Sequence, residues 1–279
     1  AEREDVDPYG FERSEDFDYS SYEELMSVYL AVLTRRSIKW SKLLKGKHRV
    51  QKNVKYLNRT FPDNIHFRKS SERSLLASLY NVLRAYGHHN PDVGYCQGMN
   101  FIAGYLLLIT KDEEKSFWLM DALIGRILPD YYTPVMLGLK TDQEVLGELV
   151  RLKAPGVWRT MLDNNVLWSL VVSRWFICLF IDVLPVETVL RIWDCLFYEG
   201  SKILFRVALT LIHRHQTEIQ TASSLPDVCD VFKRMTRGPF VDESHAFMQR
   251  IFTETGSLSR TTLTKLRTKC RAKLTEEES

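Results

Sequence analysis

The chain has 279 residues, of which 45% are hydrophobic and 26% are charged, with 13 glycines and 9 prolines. These proportions are typical of a globular protein and exclude collagen-like, disordered and disulfide-scaffold proteins. The five cysteines are widely spaced, and no two of them form a Cys-x-x-Cys motif. Because the first residues also lack a signal-peptide pattern, we expect a reducing, cytoplasmic setting.

The net charge of +3 is too small to predict a nucleic-acid partner, but the charges are unevenly distributed. The first 25 residues contain ten acidic and two basic side chains, whereas residues 35–59 contain ten lysines and arginines and no acidic residue. Such a basic run could meet phosphates, acidic lipids or an acidic protein surface. A solvated basic face neutralised by the acidic N-terminus is the simpler alternative.

Apolar residues recur at helical spacing along most of the chain, and no stretch alternates like a β-hairpin, so the predicted fold is all-α. Two apolar stripes, at residues 186–197 and 203–212, predict an antiparallel helix pair. Pro185 suits the first turn of the first helix, and Gly200 suits its end.

Other local patterns predict further helix boundaries. Thr110 with Glu113, and Thr141 with Glu144, have capping-box spacing and predict two helix starts. Residues 61–64, 89–92 and 128–130 contain turn signals.

The most apolar stretch, residues 166–184, approaches the length of a membrane span. It contains Arg174 and Asp182, each of which would cost about 3 kcal/mol in lipid. A pair of buried helices is therefore the prediction.

The segment from Asn90 to Asn100 is the least core-like part of the central sequence. Gly94 and Gly98 flank Tyr95-Cys96-Gln97, and an apolar helix is predicted at residues 101–109. Glycines let the backbone approach a partner closely, and a helix N-terminus offers free N–H groups to an anion. An ordinary connecting loop is the alternative.

Two side chains in this segment could take part in chemistry. Cys96, with His88 or His89 nearby in sequence, would suit a thiol hydrolase, but no third group that could orient the histidine stands at a recognisable position. Gln97 cannot exchange a proton near neutral pH, but its amide can accept from a water and donate to a phosphate oxygen. Positioning a water is therefore its natural catalytic role.

Arg59 ends the basic run just before a turn and is expected to lie at a helix end, with its guanidinium directed outward. A surface arginine stacked over Phe61 is the alternative. Arg59 and Gln97 together would supply the two groups that accelerate phosphoryl transfer, a fixed cation and a group that aims water. Because the sequence lacks a Gly-x-x-x-x-Gly-Lys-[Ser/Thr] loop, the nucleotide would belong to a partner.

His213 and His215 are two positions apart and would lie on different sides of a helix, which argues against shared metal ligation. No metal site is predicted. Trp193 lies on the apolar stripe and is expected to be structural.

Four motifs, in this order, resemble the TBC domain of Rab GTPase-activating proteins over about residues 50–250. They are Arg59-Thr-Phe-Pro62, Gly94-Tyr-Cys-Gln-Gly-Met-Asn100, Arg174-Trp-Phe-Ile-Cys-Leu-Phe180 and Arg191-Ile-Trp-Asp-Cys-Leu-Phe197.

This resemblance implies a multi-helix fold and a role in vesicle trafficking, with an arginine and a glutamine that enter the nucleotide site of a GTP-bound Rab in trans. By motif position these catalytic residues are Arg59 and Gln97, and Tyr95 is the tyrosine of the Tyr-x-Gln motif. Gly94, Gly98 and Asn100 would support the site or contact the partner.

The resemblance also sets the expected cofactors, location and domains. The chain would need no cofactor of its own, because GTP and Mg²⁺ belong to the Rab. It would be cytoplasmic, with transient membrane contact through the Rab and no nucleic-acid partner. The expected domains are an acidic extension and basic lead-in at residues 1–44, a TBC-like domain at 45–220 and a helical tail at 221–279.

Two departures from the family pattern favour an alternative. The family's Ile-x-x-Asp-x-x-Arg motif has Asn53 and Tyr56 here in place of its isoleucine and aspartate. The family's first motif, Arg-x-x-x-Trp, is matched only by residues 36–40, too close to Arg59 and without the Gly-Val-Pro context. We therefore expect a skipped internal segment before residue 52. The alternative function is a catalytically impaired, Rab-binding or scaffold form.

Overall fold

The computed structural model describes residues 60–61, 63–68, 74–93, 96 and 98–277. Its regular structure in these residues is helical and contains no β-strand, so the all-α prediction is confirmed. The chain divides into two compact units, residues 1–121 and 122–279, and each is described separately.

The first unit contains a short 3₁₀ turn and three helices in its described part. The turn is Ile65–Phe67, and the helices are α1 (Leu76–His89), α2 (Met99–Thr110) and α3 (Glu113–Asp121). Each of these helices packs against the other two. Their shared core is built from side chains with almost no exposed surface, namely Leu79, Leu83, Tyr86, Met99 and Ile102.

The second unit begins with a π-helical segment, Ala122–Ile127, and continues with ten helices in its described part. These are α4 (Leu137–Lys153), α5 (Pro155–Asp163), α6 (Trp168–Ile177), α7 (Val186–Glu199), α8 (Lys202–Arg214), α9 (Gln216–Thr221), α10 (Leu225–Arg234), α11 (Pro239–Asp242), α12 (Ser244–Thr253) and α13 (Arg260–Glu277). Helix α4 is central and contacts α5, α6, α8 and α13.

The helix pair predicted at residues 186–212 is present as α7 and α8. Helix α7 follows Pro185 directly, and Gly200 ends it with φ at +86°, a conformation that glycine adopts without strain. The two helices pack against each other. Their apolar stripes are buried, as the spacing predicted, except for the half-buried Phe197 at the end of the first.

The prediction of two buried helices at residues 166–184 is wrong in its second half. Helix α6 ends at Ile177, and Leu179, Phe180 and Asp182 then adopt positive φ angles of 49°, 65° and 57°. Residues in this left-handed region cannot continue a right-handed helix. The indole N–H of Trp193 donates to the carbonyl of Leu179 at 3.0 Å and holds the turning segment against α7.

Arg174 and Asp182, the charges that argued against a membrane span, form an ion pair with an N–O distance of 3.2 Å. Within the described part of the chain, no helix is long and apolar enough to cross a membrane.

A helix does begin at Glu113, as the first capping box predicted, but neither threonine is the capping residue. Thr110 is the last residue of α2, and the cap of α3 is Asp112, whose carboxylate accepts the N–H of Lys115 at 2.8 Å. Thr141 lies inside α4, where its hydroxyl donates to the carbonyl of Leu137 at 2.7 Å. A threonine that bonds back to the preceding turn fits within a helix, so the spacing alone did not mark a start.

A partly buried ion pair attaches the C-terminal helix α13 to α4. Arg267 donates to both carboxylate oxygens of Asp142, at 2.7 and 2.8 Å, and to the hydroxyl of Ser201 at 2.8 Å. The hydroxyl of Tyr131 also donates to Asp142. Because Asp142 is only 2% exposed, these partners supply the hydrogen bonds that water would otherwise give its carboxylate.

Candidate functional site

Four of the predicted site residues, Arg59, Gly94, Tyr95 and Gln97, lie outside the described residues. Their described neighbours are Thr60 and Phe61 on one side, and Cys96, Gly98 and Asn100 on the other. The geometry of the candidate site is therefore given by the segments that flank it.

One hydrogen bond joins these two segments. The side-chain amide of Asn100 donates to the hydroxyl of Thr60 at 2.9 Å, and both residues are buried, at 7% and 1% exposure. The amide oxygen of Asn100 accepts the backbone N–H of Gly98 at 3.2 Å. Because both ends of the amide are engaged, its orientation is fixed. The bond thus connects the position after Arg59 to the start of α2, three residues after Gln97.

Phe61 fixes the same segment through packing. It adopts φ of +49° and is 3% exposed, with its ring centroid 5.3 Å from those of Phe101 and Tyr105 on α2. A Cβ atom added to Gly104 would lie 2.7 Å from the Phe61 ring. The ring can therefore pack this closely against α2 only because residue 104 is glycine. The alternative in which an arginine stacks over Phe61 concerns Arg59, which lies outside the described residues.

The chain reverses after Phe61, as the turn signal predicted. The N–H of Asn64 donates to the carbonyl of Phe61 at 3.0 Å, and the Asn64 side chain accepts the N–H of His66 at 2.9 Å. These contacts start the 3₁₀ turn and fix the backbone that follows Thr60.

The start of α2 is not an open anion site at the described positions. The N–H of Gly98 is bonded to Asn100, that of Met99 to the carbonyl of Cys96 at 3.1 Å, and that of Phe101 to the carbonyl of Gly98 at 3.1 Å. The expectation of free donors is wrong for these three groups, because the local turn supplies their acceptors. Gly98 has φ of +108°, which suits glycine.

Cys96 does not have the surroundings of a nucleophilic thiol. Burial raises the pKa of its thiol, which lowers the thiolate fraction near neutral pH. His89 instead lies 3.3 Å from the carboxylate of Asp121 and packs edge-on against Phe117, and His88 accepts a hydrogen bond from Arg84 at 3.4 Å. The structure therefore does not support the thiol-hydrolase alternative.

His213, on α8, and His215, just after the end of α8, have different surroundings. Burial lowers the pKa of His213, and His215 lies 2.8 Å from the carboxylate of Glu218. Among the residues that the structure describes, no three histidine, cysteine or acidic side chains are grouped to hold a metal ion.

Thr60 was missed as a site residue from sequence. Its only signal was its place directly after Arg59 in a motif, and nothing in the spacing showed that its hydroxyl would meet a residue 40 positions away. Asn100, which the motif singled out, is the other end of that bond.

The family model of the Rab-GTPase-TBC domain matches residues 25–220 of the chain. The chain is 62% identical to growth hormone-regulated TBC protein 1-A of Danio rerio, over 98% of this chain and 92% of that protein. It is 70% identical to growth hormone-regulated TBC protein 1 of Rattus norvegicus, over 96% of this chain and 93% of that protein.

Solved structures agree with these sequence comparisons. The Chlamydomonas flagellar RabGAP TBC domain has a TM-score of 0.61 and 32% identity, covering 71% of this chain and 64% of that one. The Ypt/Rab-GAP domain of Gyp1p also has a TM-score of 0.61, at 18% identity, and covers 80% of each chain; it shares the fold.

The two alignments with relatives differ in length. The Danio rerio alignment spans 327 positions although this chain contributes 98% of its 279 residues, so about fifty positions of that protein have no counterpart here. The Rattus norvegicus alignment spans 269 positions and leaves no such gap.

Proposed function

Because the chain belongs to the Rab-GTPase-TBC domain family, we propose that it is a GTPase-activating protein for GTP-bound Rab-family small GTPases. A relative from Saccharomyces cerevisiae, 36% identical over 60% of this chain, is named GTPase-activating protein MSB4, which supports the reaction class. The chain would supply catalytic groups in trans, whereas GTP and Mg²⁺ would be held by the Rab.

Arg59 is proposed as the arginine finger. A guanidinium stabilises the negative charge that spreads over the phosphoryl oxygens in the transition state, an effect of about a thousandfold to a hundred-thousandfold in rate. Lysine cannot replace it, because a compact ammonium lacks the planar fork that donates to two oxygens at once.

Gln97 is proposed as the group that aims the attacking water. Its carboxamide can accept a hydrogen bond from the water and donate another to a phosphate oxygen without changing its protonation state. This role would make the Rab's own switch glutamine dispensable. Tyr95, Gly94 and Gly98 would support the backbone that carries Gln97.

The hydrogen bond between Asn100 and Thr60 is the observation that carries this proposal. Thr60 adjoins Arg59, and Asn100 lies on the first turn of the helix that follows Gln97, so the 2.9 Å bond limits how far apart these two segments can move. The packing of Phe61 on Gly104 adds a second constraint in the same place. Catalysis in trans needs both groups held in register before the Rab arrives.

A catalytically impaired, Rab-binding form is the second candidate. Tyr56 stands where the family motif has an aspartate, and about fifty positions of the Danio rerio relative have no counterpart in this chain. Either difference would leave a Rab-docking surface while weakening support for Arg59. In both forms we propose a cytoplasmic protein that reaches membranes transiently through the Rab.

A panel of GTP-loaded Rabs separates the two candidates. Single-turnover GTP hydrolysis is measured with and without the full chain, and binding of each Rab is measured in parallel. The proposed activity predicts accelerated hydrolysis for at least one Rab. Binding without acceleration across the panel would favour the impaired form, and neither binding nor acceleration would contradict both.

A further inference from the structure

Helices α6 and α10 of the second unit form a pocket of about 380 Å³ that the proposed GTPase activation does not use. Its floor consists of the rings of Trp175 and Phe232, each 3% exposed and stacked with centroids 5.6 Å apart. Leu170 on α6 lines one wall. The volume lies within the usual range for binding pockets and is large enough for one or two side chains.

The apolar character of this pocket continues onto the surface of α6. Leu170 on α6 is 57% exposed, and Leu167, the extended residue directly before α6, is 69% exposed. An exposed apolar face that leads into a pocket with an aromatic floor is typical of a surface that binds a partner's apolar side chain.

The rim of the pocket is basic. Arg174, Lys233 and Arg237 line it, against one acidic lining residue, Asp182. Arg174 pairs with Asp182 at 3.2 Å, and Lys233 lies 3.8 Å from Asp230 outside the pocket, but all four side chains are well exposed. Exposed pairs of this kind are weak and leave the cations able to bind an incoming carboxylate.

We propose that this pocket binds a short acidic segment of a partner protein that carries a large apolar anchor side chain. The anchor would pack on Trp175 and Phe232, and flanking carboxylates would meet Lys233, Arg237 and Arg174. A small anion would leave the apolar floor unused, and a neutral apolar peptide would leave the basic rim unused. The chemistry of floor and rim together therefore selects an acidic peptide with an apolar centre.

Fluorescence anisotropy with a labelled peptide tests this proposal on the full chain, without Rab or GTP. The probe has one central tryptophan flanked on both sides by glutamates. One control peptide replaces tryptophan with serine, and another replaces the glutamates with lysines. We expect each control to bind at least about tenfold more weakly than the probe, and the probe's affinity to fall as salt is raised.

Matched variants locate the binding on the protein. Lys233→Glu with Arg237→Glu reverses the rim charge and is expected to weaken probe binding at least about tenfold, whereas Arg159→Glu, an exposed change on α5, should leave it unchanged. Leu170→Ser should weaken binding, and Leu152→Ser, a change at an equally exposed leucine of α4, should not. All of these positions are exposed, and circular dichroism checks that each variant is folded.

Failure to bind the probe, equal binding of either control peptide, or unchanged binding by the rim variant would overturn the proposal. Binding to phosphatidylserine vesicles but not to the peptide, lost in the rim variant, would also overturn it and assign this face to a membrane. Because GTP hydrolysis is not measured in this experiment, failure of peptide binding would leave the proposed Rab activity unaffected. Absence of Rab stimulation would likewise leave the peptide-binding proposal unaffected.

Discussion

Thr60 and Asn100 show how single residues far apart in sequence can fix a site that neither forms alone. Their hydrogen bond is buried, and the same asparagine also accepts from the backbone of Gly98. A buried polar group left without its partner costs about 1–3 kcal/mol. The two residues should therefore behave as one unit in stability and in activity.

A double-mutant cycle tests this coupling. Thr60→Val and Asn100→Ala should each lower the free energy of unfolding, and the double variant should lose less than the sum, with a coupling energy of about 1 kcal/mol. Urea unfolding measures stability, and hydrolysis by a responsive Rab measures activity. Thr60→Ser, which keeps the hydroxyl, is the control. Strict additivity would show that the bond contributes nothing.

Gln97 carries a prediction that concerns the Rab rather than this chain. If Gln97 aims the water, mutation of the Rab's own switch glutamine to alanine should leave most of the stimulated hydrolysis intact. Gln97→Ala should abolish stimulation of the unmodified Rab, while binding persists. Loss of stimulation on mutating the Rab's glutamine, with binding retained, would assign water positioning to the Rab instead.

At the level of helices, the ion pair between Arg267 and Asp142 attaches α13 to α4. A buried carboxylate is unfavourable without such a partner. Removing one partner of a buried pair commonly costs 3–5 kcal/mol, and because Arg267 is 34% exposed we expect Arg267→Ala to cost about 3 kcal/mol. Asp142 would then lie buried without its guanidinium. Lys269→Ala, which removes a more exposed ion pair with Glu148, is the control and should cost less than about 1 kcal/mol.

The reactivity of Cys270 on α13 gives a second measure of whether this helix stays attached to α4. It is 5% exposed, and burial raises the pKa of its thiol to about 11. If Arg267→Ala loosens α13, alkylation of Cys270 by iodoacetamide should accelerate, as followed by peptide mass spectrometry. An unchanged rate in Arg267→Ala would show that apolar packing alone holds this helix.

Helices were predictable from sequence where local residues determine them. The stripes of α7 and α8 are continuous, and Gly200 ends α7 because glycine adopts the required φ. The turn after α6 was not predictable, because Leu179 and Phe180 rarely adopt positive φ and are held there by tertiary contacts such as the Trp193 hydrogen bond. The Thr60–Asn100 bond was likewise hidden, since its partners are 40 residues apart.

For the whole molecule, the segment predicted to be missing before residue 52 bears on both stability and activity. Restoring a few hundred Å² of apolar burial, at about 25 cal/mol per Å², would add several kcal/mol, comparable with the stability of a domain. A version that carries the additional residues of the Danio rerio relative should therefore melt at a higher temperature and stimulate hydrolysis faster. Equal melting temperatures and equal rates would show that this chain already compensates for the difference.

The proposed activity depends above all on Arg59, which would enter the nucleotide site of a Rab. Its most direct test is single-turnover GTP hydrolysis by a responsive Rab in the presence of the wild-type chain, Arg59→Lys or the control Arg68→Lys. We expect Arg59→Lys to lose about a thousandfold or more of the stimulation while its melting temperature and Rab binding stay unchanged, and Arg68→Lys to behave like wild type. Full stimulation by a folded Arg59→Lys variant would contradict it.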